Sequence, residues 1–153
     1  ETNSVTLIPA VVDGIDAPAK TVNNTTTIQG LKLEKLAAVV SATGIENLTC
    51  PTDTSGLTFG RGESINAKPY DCIVYKITAT NTFETKVLTT VTLSDEKALW
   101  NAQATYQDDV TGLIGTSTNG VVNNDTGDFI TTTLGTLPAE GTGTMTFSIK
   151  VNP

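Results

Sequence analysis

Histidine is absent from this chain of 153 residues, so the usual general base of enzymes at neutral pH is missing. A Ser-His-Asp triad and a Cys2His2 metal site are both excluded. Asp95-Glu96 and Asp108-Asp109 are adjacent carboxylates, but neighbours in a strand point to opposite faces, so we expect them at the surface. The sequence therefore indicates a protein that is not an enzyme and uses no cofactor.

Positive charge is also scarce. Charged residues make up 16% of the chain, the net charge is −7, and no basic cluster is present that would neutralise phosphates, which argues against a nucleic-acid partner. No run approaches the about 18 consecutive apolar residues of a membrane-spanning helix. The first residues lack the basic and then apolar character of a signal peptide, so we expect residue 1 to be the mature terminus of a secreted protein.

Cysteine occurs only twice, as Cys50 and Cys72. We expect one disulfide between them, which would fit an oxidising compartment, and two buried thiols are the alternative. The composition favours a secreted protein, located extracellularly or at the cell surface.

Threonine is abundant and supplies about a fifth of the residues, and together with valine and isoleucine it favours strands. The clearest signal is period-2 alternation at the end of the chain, where apolar residues alternate with polar ones: Met145, Phe147, Ile149 and Val151. A second such run contains Ile73, Tyr75, Ile77 and Ala79. The fold class predicted is all-β.

Shorter strand-like segments fill the remainder of the chain. We predict strands at 28–36 and 129–137, a strand at 86–93 that ends at Ser94-Asp95, and a strand at 99–106. The inward residues predicted for the middle two are Val87, Thr89, Val91 and Leu93, and then Trp100, Ala102, Ala104 and Tyr106. Residues 37–44 fit a strand or a helical turn, and 46–62 fit a surface loop. Such a series of short strands predicts a two-sheet β-sandwich.

The N-terminal region differs from the rest. Residues 1–27 contain one apolar run, whose main members are Val5, Leu7, Ile8, Val11 and Val12. Pro9 interrupts this run and lacks an N–H group, so the run suits a sheet edge or a groove. The polar residues 23–27 resemble a flexible linker. We therefore predict an extended arm over 1–27 and a sandwich domain over 28–153.

Two kinds of loop site are also indicated. Residues 123–128 combine Asn, Asp and Gly, which suits Ca²⁺ binding but suits a tight turn better. Glycosylation triplets place candidate surface glycans in loops at four asparagines: Asn23, Asn24, Asn47 and Asn124.

The order of these segments resembles the immunoglobulin-like surface repeat of bacteria and archaea known as domain of unknown function 11. The resemblance rests on residues 31–35, 67–82, 91–95, 134–139 and 145–151, with a central Tyr-x-Ile-x-x-x-Asn motif formed by Tyr75, Ile77 and Asn81. Where the family usually has glycine, this chain has Tyr70 and Phe83. The resemblance implies an immunoglobulin-like, surface-exposed and non-enzymatic module.

Two functions fit these features. The first is a subunit of a pilus-like extracellular filament, a homopolymer in which the N-terminal arm inserts as a donor strand into the neighbouring copy. The second is a monomeric adhesive or carbohydrate-binding module whose arm folds back on its own sheet. In the second case Tyr70, Trp100 and Tyr106 are the candidate binding aromatics.

Overall fold

The computed structural model describes the backbone of residues 4–8, 11–12, 15–16, 20–23, 25–28, 30–42, 49–61, 66–99, 102–107, 111–114, 117–118, 122–126 and 128–153. Side chains are described in 30–42, 49–61, 66–98, 102–107 and 128–153. The regular elements in these ranges are strands and one 3-10 turn, Lys97–Leu99. The predicted all-β class is confirmed.

The strands form two antiparallel sheets. In chain order they are β1 (Ser4–Ile8), β2 (Val11–Val12), β3 (Ile15–Asp16), β4 (Lys20–Asn23), β5 (Thr25–Ile28), β6 (Leu31–Val40), β7 (Cys72–Asn81), β8 (Leu88–Glu96), β9 (Ala104–Tyr106), β10 (Thr111–Ile114), β11 (Ser117–Thr118), β12 (Val122–Thr126), β13 (Phe129–Leu137) and β14 (Thr142–Val151). The first sheet has the order β12-β13-β8-β1-β4, with β2 joined to β8 and β3 to β2. The second has the order β11-β10-β14-β7-β6-β5, with β9 joined to β14.

One hydrophobic core lies between the sheets. The inward face predicted for β7 and β14 is confirmed, since Ile77 and Phe147 are fully buried and Tyr75 packs on Phe147 with ring centroids 5.2 Å apart. The water-facing side predicted for β14 is wrong at Thr146 and Ser148, which are also buried. The opposite sheet contributes six residues to the same core: Leu88, Val91, Leu93, Ile130, Leu134 and Leu137. Apolar side chains that alternate along strands of both sheets therefore hold the sandwich together by leaving water.

The open question at 37–44 is resolved as far as residue 40, because β6 continues through Ala37 to Val40. The segment 49–61 contains no strand and joins the edge of β6 through the pair Ala37–Gly60. On the outer face of β7, Val74 is also buried, contrary to the prediction of a single buried face. The disulfide joins the segment 49–61 to Cys72 at the start of β7, and Phe59 of that segment lies 5.6 Å from the Nζ atom of Lys76, which is on the same face of β7 as Val74.

A bulge in β8 overturns half of the predicted inward face. Val87 is 48% exposed and Thr89 is also exposed, whereas Leu88 and Val91 are buried. Thr90 has a φ of 59°, in the left-handed region, and the register against β13 shifts on both sides of the Gly135–Val91 pair. An extra residue at a bulge reverses the alternation, so a simple period-2 pattern fails there.

The predicted strand at 99–106 is shorter than expected. Among the described residues of this segment, Ala104–Tyr106 forms a strand, and a turn precedes it. Ala104 is buried as predicted, but Ala102 is exposed. Trp100 lies outside the described residues. The described residues before β9 form a 3-10 turn at Lys97–Leu99 and a second turn at 102–103.

The flexible linker predicted at 23–27 is also wrong where the backbone is described. Strand β4 ends at Asn23, and β5 pairs with β6 from Thr25↔Glu34 to Ile28↔Leu31. Threonine is polar but β-branched, so a run of threonines suits the exposed edge of a sheet as well as a loop. Polarity alone therefore does not distinguish a flexible linker from an edge strand in this segment.

Asn81 connects the loops at one end of the sandwich, which explains its place in the Tyr-x-Ile-x-x-x-Asn motif. Its side-chain Nδ2 donates to the carbonyls of Lys86 and Pro138 at 2.8 Å each, and its Oδ1 accepts from the N–H of Phe83. Phe83 in turn covers Gly30, where a Cβ atom would lie 2.1 Å from the ring. The motif therefore supplies two core residues and one asparagine that orders the loops.

We expect Phe147→Ala to lower the free energy of unfolding by about 3–5 kcal/mol, because it leaves a cavity at a fully buried position. The matched control is Phe129→Ala, whose ring is 37% exposed and whose loss should cost about 1 kcal/mol. Urea denaturation measures both. Equal losses in the two variants would contradict this assignment of the core.

Candidate assembly site

The N-terminal arm lies on an edge of β8. Strand β1 pairs antiparallel with β8, and its register is Val5↔Asp95, Thr6↔Ser94, Leu7↔Leu93 and Ile8↔Thr92. Strand β2 extends the contact through Val11↔Thr89, and Val12 pairs with Ile15. Four of the five predicted arm residues are therefore register partners of β8. The side chains of the arm lie outside the described part of the structure.

Strand β1 is bordered by a strand on each side. Its other edge pairs with β4, from Ser4↔Asn23 to Leu7↔Lys20. Main-chain hydrogen bonds thus join β1 to β8 on one side and to β4 on the other, and they do not depend on which side chains β1 carries. Without β1, the edge of β8 opposite β13 would lose its partner from Thr92 to Asp95. We call this position between β8 and β4 the arm groove.

A pair of opposite charges lies in the core next to the arm groove. Lys35 of β6 and Asp95 of β8 belong to different sheets, and their Nζ and Oδ2 atoms are 2.6 Å apart. Their side chains are 6% and 0% exposed. The Lys35 Nζ also lies 4.5 Å from the centroid of the Tyr75 ring. This salt bridge is a direct polar contact between the two sheets of the sandwich.

The burial of Asp95 contradicts the expectation that Asp95-Glu96 lies at the surface. Strand β8 continues to Glu96 instead of ending at Ser94-Asp95, so Asp95 keeps the inward phase of Val91 and Leu93. Burial raises the pKa of the Asp95 carboxyl, and the charge of Lys35 opposes this effect. Asp108-Asp109 lies outside the described residues.

The predicted disulfide is confirmed. Cys50 and Cys72 are bonded across a sequence separation of 22, and both residues are buried. Asp71, next to Cys72, strengthens the same corner of the domain. Its Oδ1 accepts from the N–H of Ala42 at 2.7 Å, and its Oδ2 accepts from the N–H of Lys68 at 2.8 Å. These N–H groups lower the pKa of Asp71, because they stabilise the charged carboxylate.

The candidate glycosylation and calcium sites fall partly on strands. Asn23 ends β4 and Asn124 lies within β12, so the expectation of loops is wrong for these two. Asn24 and Asn47 lie outside the described residues. Residues 123–126 form part of a strand instead of the predicted tight turn. The chain reverses direction between Thr126 and Phe129, which are register partners. Among the side chains described, no cluster of three or more acidic or cysteine residues is arranged to hold a metal.

Two of the three aromatic residues of the alternative hypothesis lie near the end of β14. Tyr70 donates its N–H to the carbonyl of Val151, and Tyr106 is the register partner of Ile149. Both residues are half-buried. Within the described ranges, no helix is long and apolar enough to span a membrane.

Comparison with models of protein families, with characterised proteins and with solved structures found no match for this chain. The geometry of the arm groove and the chemistry of the residues around it are therefore the basis for a functional proposal.

We expect reduction of the Cys50–Cys72 bond to destabilise the protein by about 3 kcal/mol, because the bond restricts a loop in the unfolded chain. The melting temperature should fall by roughly 6 to 12 °C, as measured by circular dichroism with and without a reductant. The double variant Cys50→Ala/Cys72→Ala should not respond to the reductant. An unchanged melting temperature after complete reduction of the wild type would contradict a stabilising role.

We expect Asp71 to make the free energy of unfolding depend on pH in the acidic range. Its pKa is lowered on folding, so its contribution is present above the unfolded value of about 3.9 and is lost as the pH falls through the folded value. Asp71→Asn should therefore be less stable than wild type at pH 7, and the difference should shrink below about pH 4. Urea titrations at several pH values measure this. Asp128→Asn, at an exposed turn before β13, is the control and should show little difference from wild type.

Proposed function

We propose that the protein is a structural subunit of an extracellular, pilus-like filament. In this proposal, β1 of one subunit occupies the arm groove of the next and is hydrogen-bonded to its β8 and β4. The observation that carries the proposal is the position of β1, which is the first described strand of the chain and yet lies inside a sheet, between two strands of later sequence.

Exchange of β1 between copies requires no new kind of contact. A strand is held mainly by its backbone, and every copy carries the same strand and the same groove, so the neighbour's β1 can make the same hydrogen bonds. The strand and the groove are different surfaces, so the contact is head-to-tail. Such a contact propagates from copy to copy instead of closing into a dimer, and its product is a fibre.

The apolar residues of the arm give this contact strength. Val5 and Leu7 are the register partners of Asp95 and Leu93, which are buried, and each side chain that passes from water into a groove contributes about 1.5–3 kcal/mol. Two such contributions exceed that of an exposed polar contact, so the resulting fibre would dissociate slowly. Strand β1 ends at Ile8, immediately before Pro9, which fits a residue that cannot continue the ladder.

The remaining features support an extracellular location. A bonded cysteine pair suits an oxidising compartment, and the composition is poor in charge and rich in threonine. The resemblance to the surface-repeat family agrees with a secreted or cell-surface protein. Surface glycans at the asparagine triplets are compatible with this setting.

A monomeric adhesive or carbohydrate-binding module is the second candidate. It is favoured by one observation, that β1 pairs with β8 of its own chain. Tyr70 and Tyr106 would then belong to the binding surface. Electron microscopy and sedimentation of the native material separate the two candidates, because the first predicts fibres and the second predicts a particle of 16.0 kDa.

A pair of introduced cysteines tests which chain supplies β1. Thr6 and Ser94 are directly opposite in the register, so Thr6→Cys/Ser94→Cys should form a disulfide across the arm groove. If the arm is exchanged, assembled material run on a denaturing, non-reducing gel gives a ladder of covalent multimers. Each single-cysteine variant is the control and should give no ladder.

A result confined to internally bonded monomers, obtained from material that electron microscopy shows to be fibrous, would exclude arm exchange as the means of assembly. The native cysteine pair is unaffected by this design, because Cys50 and Cys72 are already bonded to each other.

A further inference from the structure

Two charged residues, Lys35 and Asp95, lie in the core, at inward positions of strands whose other inward residues are apolar. Along β6, Leu33 and Ala37 are buried on the inner face, and Lys35 lies between them. Along β8, Asp95 follows Val91 and Leu93 in the same phase. The two charges are 60 residues apart in sequence and come from opposite sheets, yet they meet at 2.6 Å.

As an ordinary ion pair this arrangement is unfavourable. Both groups lose their hydration on burial, and their mutual attraction repays that loss only where the remaining hydrogen-bonding capacity is also satisfied. Within the described part of the structure, the Asp95 Oδ1 atom is buried and has no hydrogen-bond partner. The Lys35 ammonium, assisted by the backbone N–H of Glu96, therefore offsets the desolvation of an entire carboxylate.

We propose that Lys35 and Asp95 are joined by an intramolecular isopeptide bond, a covalent amide between the Lys35 Nζ atom and the Asp95 Cγ atom that ties β6 to β8. The carboxyl carbon is one bond from the Oδ2 atom that Nζ already contacts at 2.6 Å. The two reacting groups are thus held together by the fold before any reaction, which is the main contribution that a protein can make to such a condensation.

The reaction is balanced without a co-reactant. A proton passes from the Lys35 ammonium to the Asp95 carboxylate, which gives a neutral amine and a neutral acid. The nitrogen lone pair then attacks Cγ, one C–O bond breaks, and the departing oxygen leaves as water with the acid proton and one proton from the nitrogen. One C–N bond forms, nothing is oxidised or reduced, and both charges disappear from the core.

The surroundings favour the protonated acid and keep water away from both groups. Burial raises the pKa of Asp95, which promotes the protonated acid that loses water, whereas Glu96 on the same strand is only half-buried. The Lys35 Nζ faces the Tyr75 ring, which itself packs against Phe147, so aromatic surface shields the amine from solvent. A water-poor site also protects the finished amide from hydrolysis.

The bond would fix the strand to which the arm binds. Asp95 is the register partner of Val5, so the amide would anchor the arm groove to the second sheet at the same residue. This inference does not depend on the proposed filament, because the reaction needs only one folded chain. In a filament, the bond would transmit load from the arm through β8 into β6.

Mass spectrometry of the purified, reduced protein tests the proposal directly. The intact mass should be about 18 Da below the mass of the reduced sequence, the mass of one water. Succinimide formation at Asp13-Gly14 would also remove one water, so the deciding observation is a branched tryptic peptide. It should join residues 33–61, uncleaved at Lys35, to residues 87–97 through the two side chains.

Variants sharpen the test. Lys35→Arg should abolish both the branched peptide and the mass deficit, whereas Lys32→Arg, at an exposed position on the same strand, should retain both. Asp95→Asn offers an amide that loses ammonia, so any bond formed there would lower the mass by about 17 Da instead. Two linear peptides and a full sequence mass in the wild-type protein would overturn the proposal, whatever the folding of the variants.

Discussion

The structure depends most on how the two edges of β8 are covered. An uncovered strand exposes unpaired N–H and C=O groups and invites pairing with another chain. On one edge, β13 pairs with β8 from Glu96 to Leu88. On the other edge, β1 covers Thr92 to Asp95 and β2 reaches Thr89. The first sheet is therefore continuous only because a segment far away in the sequence lies beside β8.

That constraint links the fold to the proposed assembly. Because backbone hydrogen bonds hold the strand in the arm groove, the groove accepts any strand whose apolar residues alternate in the right phase. Each copy of the chain offers one such strand. Phase matters because a shift of one residue would turn every side chain of the arm to the other face. Pairing of Val5 with Asp95 and of Leu7 with Leu93 sets that phase. The same register serves within one chain or between two chains.

The sequence predicted the parts of the fold in which one physical signal acts alone. Alternation in β7 and β14 identified Ile77 and Phe147 as core residues, and two cysteines in an extracellular-like composition identified the disulfide. Prediction failed where a second effect competed. The bulge at Thr90 follows from pairing with β13, which no local pattern reports. The strand β5 was missed because threonine suits both loops and sheet edges.

The Lys35–Asp95 pair was partly accessible from the sequence. Extending the phase of Leu33 along β6 places Lys35 inward, and extending the phase of Leu93 along β8 places Asp95 inward. Two opposite charges at inward positions of different strands would predict a buried contact. Their meeting was not predictable, because it requires knowing which strands of the two sheets face each other.

This pairing also explains how the sandwich keeps one alignment. Apolar side chains such as Leu33 and Val91 tolerate small slips between facing sheets, since their contacts are not directional. A lysine and an aspartate in the same core tolerate none, because a slip would bury two unpaired charges at a cost of several kcal/mol. We therefore expect the contact between Nζ and Oδ2 to favour a single register between the sheets, and an amide between the same residues would make that register permanent.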